Sequence, residues 1–280
     1  MGEATDRAWP GEVFMGTGRG PYLERCFPVA EDFFHPAFAE FLGRLNHPFM
    51  IHRKLWEWAF IAHRIERAGA LRPGARGLCF GAGTEPLPAL FAARGCAVVA
   101  TDAPPEVGEV WTGTREHSRS LDDLARPEII DPETFRRLVT HEVCDMNAIP
   151  SRLRSFDFCW SACSLEHLGD LRHGMDFVLA SMETLRPGGV AAHTTELNLS
   201  SNTETIAEGH TVLYRRRDLE ALAEELRAIG CRVEPLIFAP GPTPVDLHVD
   251  MPPYSGDPHL KIRLMDYVTT SVGIVATRGD

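Results

Sequence analysis

Residues 77–102, GLCFGAGTEPLPALFAARGCAVVATD, restrict what this chain can fold into more than any other stretch. An apolar run leads into glycines, a short helix-like segment follows, and a second apolar run ends on an acid. This is the pattern of a βαβ unit that cradles a nucleotide. Gly81 and Gly83 have no β-carbon, so the backbone there can turn tightly and approach a ligand closely. Pro86 suits the first turn of the helix, where a missing N–H is no loss, and Gly95 stops it. The second strand, 97–101, delivers Asp102 to the carboxyl edge of a parallel sheet, where a carboxylate can accept both hydroxyls of a ribose.

A dinucleotide site needs a third glycine where this chain has Pro86, so that a diphosphate can sit against the helix start. Glu85 instead puts a negative charge at that entrance, which repels a diphosphate and suits a sulfonium or an ammonium. With Gly81-Ala82-Gly83 and Asp102 so placed, the sequence resembles the class I S-adenosylmethionine (SAM)-dependent methyltransferases. The resemblance implies an α/β fold with a Rossmann-like, seven-stranded, mostly parallel sheet and helices on both faces. It also implies SAM as cofactor, held by Gly81, Ala82, Gly83, Glu85, Asp102 and Ala103, by Asp145 and Met146 after the third strand, and by Ser161 on the fourth. For Asp145, capping of the following turn is an equal alternative to contact with the adenine. In one departure, Cys79 stands two positions before the first glycine, where many members carry an acid; the usual brace of the loop is absent or supplied otherwise.

Charge narrows the partners. With 28 basic against 39 acidic residues, a net charge of −11 gives no broad attraction to nucleic-acid phosphates or anionic lipid. No apolar run is long enough to cross a bilayer and the N-terminus lacks a signal pattern, so the expected location is the cytoplasm. Seven cysteines without C-x-x-C spacing, several in apolar runs, read as buried thiols of a reducing compartment.

Two units are expected: an N-terminal helical cap over 1–70 and a SAM-binding domain over 71–280, interrupted by an insertion at about 104–140 that is long enough to act as a lid. In the cap, 32–45 and 49–68 have apolar residues at helical spacing. Relatives of this kind build their acceptor pocket partly from such an extension, which makes Tyr22, His52, Arg53 and Trp56 candidate lining residues; Tyr254 joins them from a late loop. The nearly unbroken apolar run 156–163 is a central parallel strand covered on both faces, and strands at 190–193, 233–238 and 269–277 complete the sheet.

Ligands of open α/β sheets bind beyond the carboxyl ends of the strands. Two clusters are expected there, Ser164-Leu165-Glu166-His167 after strand four and His193-Thr194-Thr195-Glu196 after strand five. His167 and His193 are candidate general bases, because imidazole titrates near neutrality, with Glu166 beside them. The Glu166-His167 pair resembles the E-H motif of several methyltransferases. It is read in two ways: as a structural brace, or, with His193, as ligands of a divalent metal that lowers the pKa of a substrate hydroxyl. The expected function is methyl transfer from SAM to a small polar acceptor, with O-methylation of a sugar, glycan precursor or secondary metabolite foremost. Aminocarboxypropyl transfer or cyclisation, and a non-catalytic nucleotide- or partner-binding domain, are the alternatives.

Overall fold

The computed structural model describes residues 21–104, 106–107 and 117–280. The first twenty residues of the expected cap, and positions 105 and 108–116 of the expected insertion, lie outside the described residues. Five strands lie parallel in the order β3 (Val139–Val143), β2 (Ala97–Asp102), β1 (Arg76–Phe80), β4 (Phe156–Ala162) and β6 (Leu185–Asn198). The long β10 (Tyr267–Thr277) runs antiparallel to β6 and carries β8 (Arg232–Val233) and β9 (Ile262–Leu264). A separate two-stranded ribbon pairs β5 (Gly169–Asp170) with β7 (Glu208–Gly209). The Rossmann-like sheet expected from the glycine-loop unit is therefore present, and the strand order reverses at β1 and β4, the place where such sheets open a crevice.

Among the described residues, three α-helices precede the sheet: α1 (Ala30–Phe33), α2 (Pro36–Leu45) and α3 (Arg53–Arg67). The helix expected over 32–45 is broken at His35, because a residue before proline is pushed out of helical geometry. The His35 ring then accepts from the Ala37 amide and caps α2. His52 caps α3 in the same way, accepting from the Lys54 amide at 3.1 Å. Helix α3 lies on the β4–β6–β10 face, where Gly273 leaves room for the Phe60 ring. A Cβ at Gly273 would collide with that ring.

Further α-helices among the described residues are α4 (Leu87–Ala93), α5 (Pro132–Leu138), α6 (Leu171–Met182), α7 (Arg216–Ala228) and α8 (Pro244–Leu247). One apolar cluster joins α2, α3, α4 and α5 to one face of the sheet; α6 and α7 form a second on the other. β4 is buried along almost its whole length, as its apolar run requires. All seven cysteines are free thiols, six of them buried. No helix among the described residues is long and apolar enough to cross a membrane.

The structure lengthens the fifth parallel strand beyond its expected end. β6 continues through Asn198, held in register by β10 as far as the Thr269–Asn198 pair. Strand alternation then assigns faces: Thr194 and Glu196 meet α3 and its neighbours, while His193 turns toward α6.

Candidate functional site

A cavity of about 920 Å³ runs along the carboxyl ends of the parallel strands. Its floor follows the strand order, from Asp145 and Met146 after β3, past Asp102 and Ala103 at β2 and Gly81–Gly83 after β1, to Ala162–Ser164 after β4 and Glu196 on β6. Helix α3 walls one side with Arg53, Lys54 and Trp58, and Tyr254, His259, Ile262 and Leu264 close the far end.

The glycine loop is shaped by φ values that favour glycine. Gly81 has φ +61° and Gly83 φ +49°, and a Cβ at Gly81 would stand 2.5 Å from Ser164 Oγ. The missing acidic brace is replaced from the other side of the turn: Glu85 Oε1 accepts from Trp160 Nε1 at 2.6 Å and from the Cys79 thiol at 3.3 Å. Cys79 is thus a donor, and the carboxylate that accepts from it stands at position 85. This differs from the expected charge at the helix entrance, since the carboxyl turns inward. Burial pushes its pKa up to about 7, against the opposing hydrogen bonds from Trp160 and Cys79.

Asp102 is 5 % exposed and accepts from the amides of Gly83, Ala103 and Ser118 at 2.8–2.9 Å and from the Ser118 hydroxyl at 2.7 Å. Asp145 borders the cavity and also accepts from the Asn147 amide at 2.8 Å, so both readings of this residue have a geometric basis. Ser161, by contrast, is wholly buried inside β4 and hydrogen-bonds His193; Ala162, Cys163 and Ser164 line the cavity in its place.

At the β4–β6 end, Cys163 adopts a left-handed bend at φ +50°, and the chain continues as a single 3-10 turn, Leu165–His167, that overhangs the cavity. His167 Nδ1 lies 2.7 Å from the His210 carbonyl oxygen, which fixes the proton on that nitrogen and makes Nε2 the basic one. Glu166 is buried beneath it and accepts from Thr195 Oγ1 at 2.9 Å; burial, with Glu196 nearby, pushes its pKa up despite the opposing effect of His167. Glu196 pairs with Arg53 and accepts from Thr269 Oγ1 at 2.6 Å. Glu57, fully buried, pairs with Lys54 at 2.9 Å and accepts from Ser271 and Thr194. Burial raises the pKa of Glu57, but Lys54, Arg53 and these hydrogen bonds outweigh it and hold the carboxyl below its usual range.

His193 does not reach the cavity. It lies in the interior of β6, 1 % exposed, between Ser161 Oγ at 2.8 Å and Ser181 Oγ at 3.0 Å, with the Phe177 ring against it. Burial lowers its pKa to about 3, so it stays neutral and serves as a hydrogen-bonding core residue. The metal set Glu166, His167 and His193 therefore does not converge. A different trio, Cys163, Glu166 and Glu196, brings ligand atoms within 4.8 Å of one another, but the Arg53 guanidinium is already paired with Glu196. The donor set does not fit a divalent ion.

Among the expected acceptor contacts, Arg53 and Tyr254 line the cavity. Tyr22 stacks on His35 and packs against the core, and Trp56 is fully buried with its indole N–H on Asp32 Oδ2 at 2.9 Å. His52 is the α3 cap, stacked at 4.6 Å on His259, which does border the cavity. Lys54 and Trp58, one helical turn apart on α3, were not singled out from the sequence, nor was Ser118. The helix periodicity that locates α3 was the available signal for the first two.

The sequence model of the methyltransferase-domain family matches residues 52–236, about two-thirds of the chain and including α3. No curated protein sequence matches. Solved structures that resemble it include the phosphoethanolamine N-methyltransferase 2 of Haemonchus contortus bound to SAM, at 14 % identity and TM-score 0.48, covering 90 % of this chain and 58 % of that one. Others are the methyltransferase domain of bacterial CtHen1, at 15 % identity, TM-score 0.48 and coverage of 80 % and 97 %, and the glycopeptide N-methyltransferase MtfA complexed with sinefungin, at 15 %, 0.46, and 79 % and 94 %. The chain spans less than two-thirds of the Haemonchus protein, and 61 % of a similar protein from Galdieria sulphuraria. With the family match covering most of the sheet and every parallel strand end that borders the cavity, this chain belongs to the SAM-dependent methyltransferase family.

Proposed function

We propose that the protein transfers the methyl group of SAM to a small polar acceptor, with a hydroxyl oxygen as the favoured nucleophile. The observation that carries this reading is the continuity of the cavity, which joins the glycine loop and Asp102 at one end to the Glu166-His167 turn at the other. The residues fit the cofactor: the glycine turn has no side chain in the way, and Asp145, Met146, Asp102 and Ala103 line the stretch suited to a nucleoside. When bound, SAM supplies an electrophilic methyl on a sulfonium.

The chain's own residues then position and deprotonate. Arg53 and Lys54, fixed by Glu196 and Glu57, present polar groups to an acceptor without adding a large net charge. In-line placement of acceptor and methyl supplies much of the rate. His167, with its proton held on Nδ1 by the His210 carbonyl, offers a basic Nε2 to a hydroxyl. Glu166 beneath it interacts favourably with the imidazolium that results.

Incubation with SAM and a panel of sugars, amino alcohols and phenols, read by mass spectrometry, tests the proposal. S-adenosylhomocysteine and a methylated acceptor are expected. Methylthioadenosine would point to aminocarboxypropyl chemistry, and cofactor binding with no product across the panel to a binding domain. His167→Ala should lower turnover about 100-fold while leaving S-adenosylhomocysteine affinity intact.

A further inference from the structure

The loop between α8 and β9 holds an imidazole braced by a carboxylate at the edge of the cavity. His259 Nδ1 lies 2.6 Å from Asp250 Oδ2. Asp250 is buried and also accepts from the Ser255 amide at 2.9 Å, the Ser255 hydroxyl at 3.1 Å and the Gly256 amide at 3.0 Å. Burial raises its pKa, but these hydrogen bonds outweigh it and hold the carboxyl below its usual range. An ionised carboxylate only accepts, so in the neutral ring Nδ1 carries the proton and Nε2 the lone pair. The His52 ring stacks on His259 at 4.6 Å and Tyr254 meets it edge-on at 5.4 Å. The main chain pins the loop to the start of α3: the His259 amide donates to the Ile51 carbonyl at 2.7 Å, and the His259 carbonyl accepts from the Arg53 amide at 3.0 Å. Nε2 has no partner among the described residues and is not sealed from solvent, and the residue borders the cavity together with Arg53 and Tyr254.

We propose that His259 selects the acceptor: its Nε2 accepts a hydrogen bond from a second hydroxyl, so the preferred acceptor is a diol or polyol rather than a mono-alcohol or an anion. This rests on the methyl-transfer reading above. A lone pair held in one place by packing and by a carboxylate favours a ligand that brings a donor to it, and is left unmatched by an analogue that lacks one. The Asp250 charge behind the ring strengthens Nε2 as an acceptor. Anions gain little here, because Arg53 and Lys54, the permanent cations of the described cavity wall, are already matched by Glu196 and Glu57. The two histidines then divide the work. His167 acts on the hydroxyl that receives the methyl, and His259 fixes a different hydroxyl of the same molecule, which orients the acceptor without taking a proton in the transfer.

Matched acceptors test this with SAM and the wild type: catechol against phenol, a sugar against its monodeoxy derivatives, and the same sugar against its phosphate. The member with the extra hydroxyl should have a kcat/KM about tenfold higher, mainly through KM, and the phosphate should be the poorer substrate. His259→Phe keeps a ring between His52 and Tyr254 and leaves Asp250 its three other donors. In this variant the preference for the extra hydroxyl should disappear. Equal kcat/KM within the wild-type pairs, a preference that survives in His259→Phe, or a favoured phosphate overturns the proposal. An equal fall in kcat on both members of each pair also overturns it and makes His259 a base. Nitrogen NMR of the histidine-labelled wild type decides the matter if His259→Phe fails to fold: the Nε2 resonance of His259 should shift when the better acceptor is added with S-adenosylhomocysteine, and an unmoved resonance overturns the proposal. Turnover of no pair by the wild type overturns the methyl-transfer reading itself, a separate result.

Discussion

Replacing Glu85 by glutamine isolates the electrostatic strain stored beneath the glycine loop. The carboxyl is 7 % exposed, and its pKa is pushed from the usual 4.5 to about 7, burial being the largest cause. Below about pH 4.5 the folded and unfolded chains both hold the proton, and the site adds nothing to pH dependence. Between 4.5 and 7 the unfolded chain releases its proton while the folded chain keeps it, so stability falls as pH rises; above 7 the penalty levels off. A displacement of about 2.5 pH units at 1.36 kcal/mol each sets that penalty at about 3 kcal/mol. A glutamine side chain at this position keeps an acceptor for the Trp160 indole and the Cys79 thiol but never ionises. Glu85→Gln is therefore expected to be more stable than wild type by about 1 kcal/mol at pH 5 and about 3 kcal/mol at pH 8. Urea unfolding followed by tryptophan fluorescence at both pH values measures the difference, and all other titrations cancel between the two proteins. A stability difference that does not change with pH, or a variant weaker at pH 8, would show that Glu85 is ionised in the fold and would refute the reasoning.

Three further outcomes follow from the packing. Gly273→Ala should lower stability by about 1–3 kcal/mol, because the added methyl meets the Phe60 ring; a neutral effect in thermal unfolding would mean that α3 shifts freely on the sheet. Glu57→Ala leaves the Lys54 ammonium without its partner and two buried hydroxyls without an acceptor, and should cost about 3–5 kcal/mol; a loss under about 1 kcal/mol in urea titration would contradict the network. His193→Phe should destabilise by about 1–3 kcal/mol through Ser161 and Ser181 while leaving turnover per folded molecule within about twofold; a large kcat loss at unchanged stability would restore a catalytic role.

The glycine loop and Asp102 were legible because local chemistry dictates them: only glycine tolerates the bend at position 81, and an acid ending an apolar strand announces the sheet edge. His193 was misplaced because the end of β6 is set by pairing with β10, more than seventy residues later, which no local pattern encodes. Trp56 reads from sequence as a pocket residue although its partner is Asp32, across a helix break that a proline signals but whose packing it does not. Glu85 shows the opposite case. Its position was evident, yet the direction of its side chain depended on Trp160 from a different strand. Ser118, within the expected insertion, meets Asp102 by tertiary contact alone.

The burial of the sulfur atoms carries a practical consequence. Six thiols are enclosed, and the seventh, Cys163, has its ionisation pushed well above neutrality by burial and by the acids beside it. A thiolate is the reactive form, so maleimide or iodoacetamide should find almost nothing to attack on the intact molecule. Uptake of label then becomes a clock for spontaneous opening, and comparing Cys163, just past the end of β4, with Cys159 inside β4 would time the mouth of the crevice against the interior of the sheet.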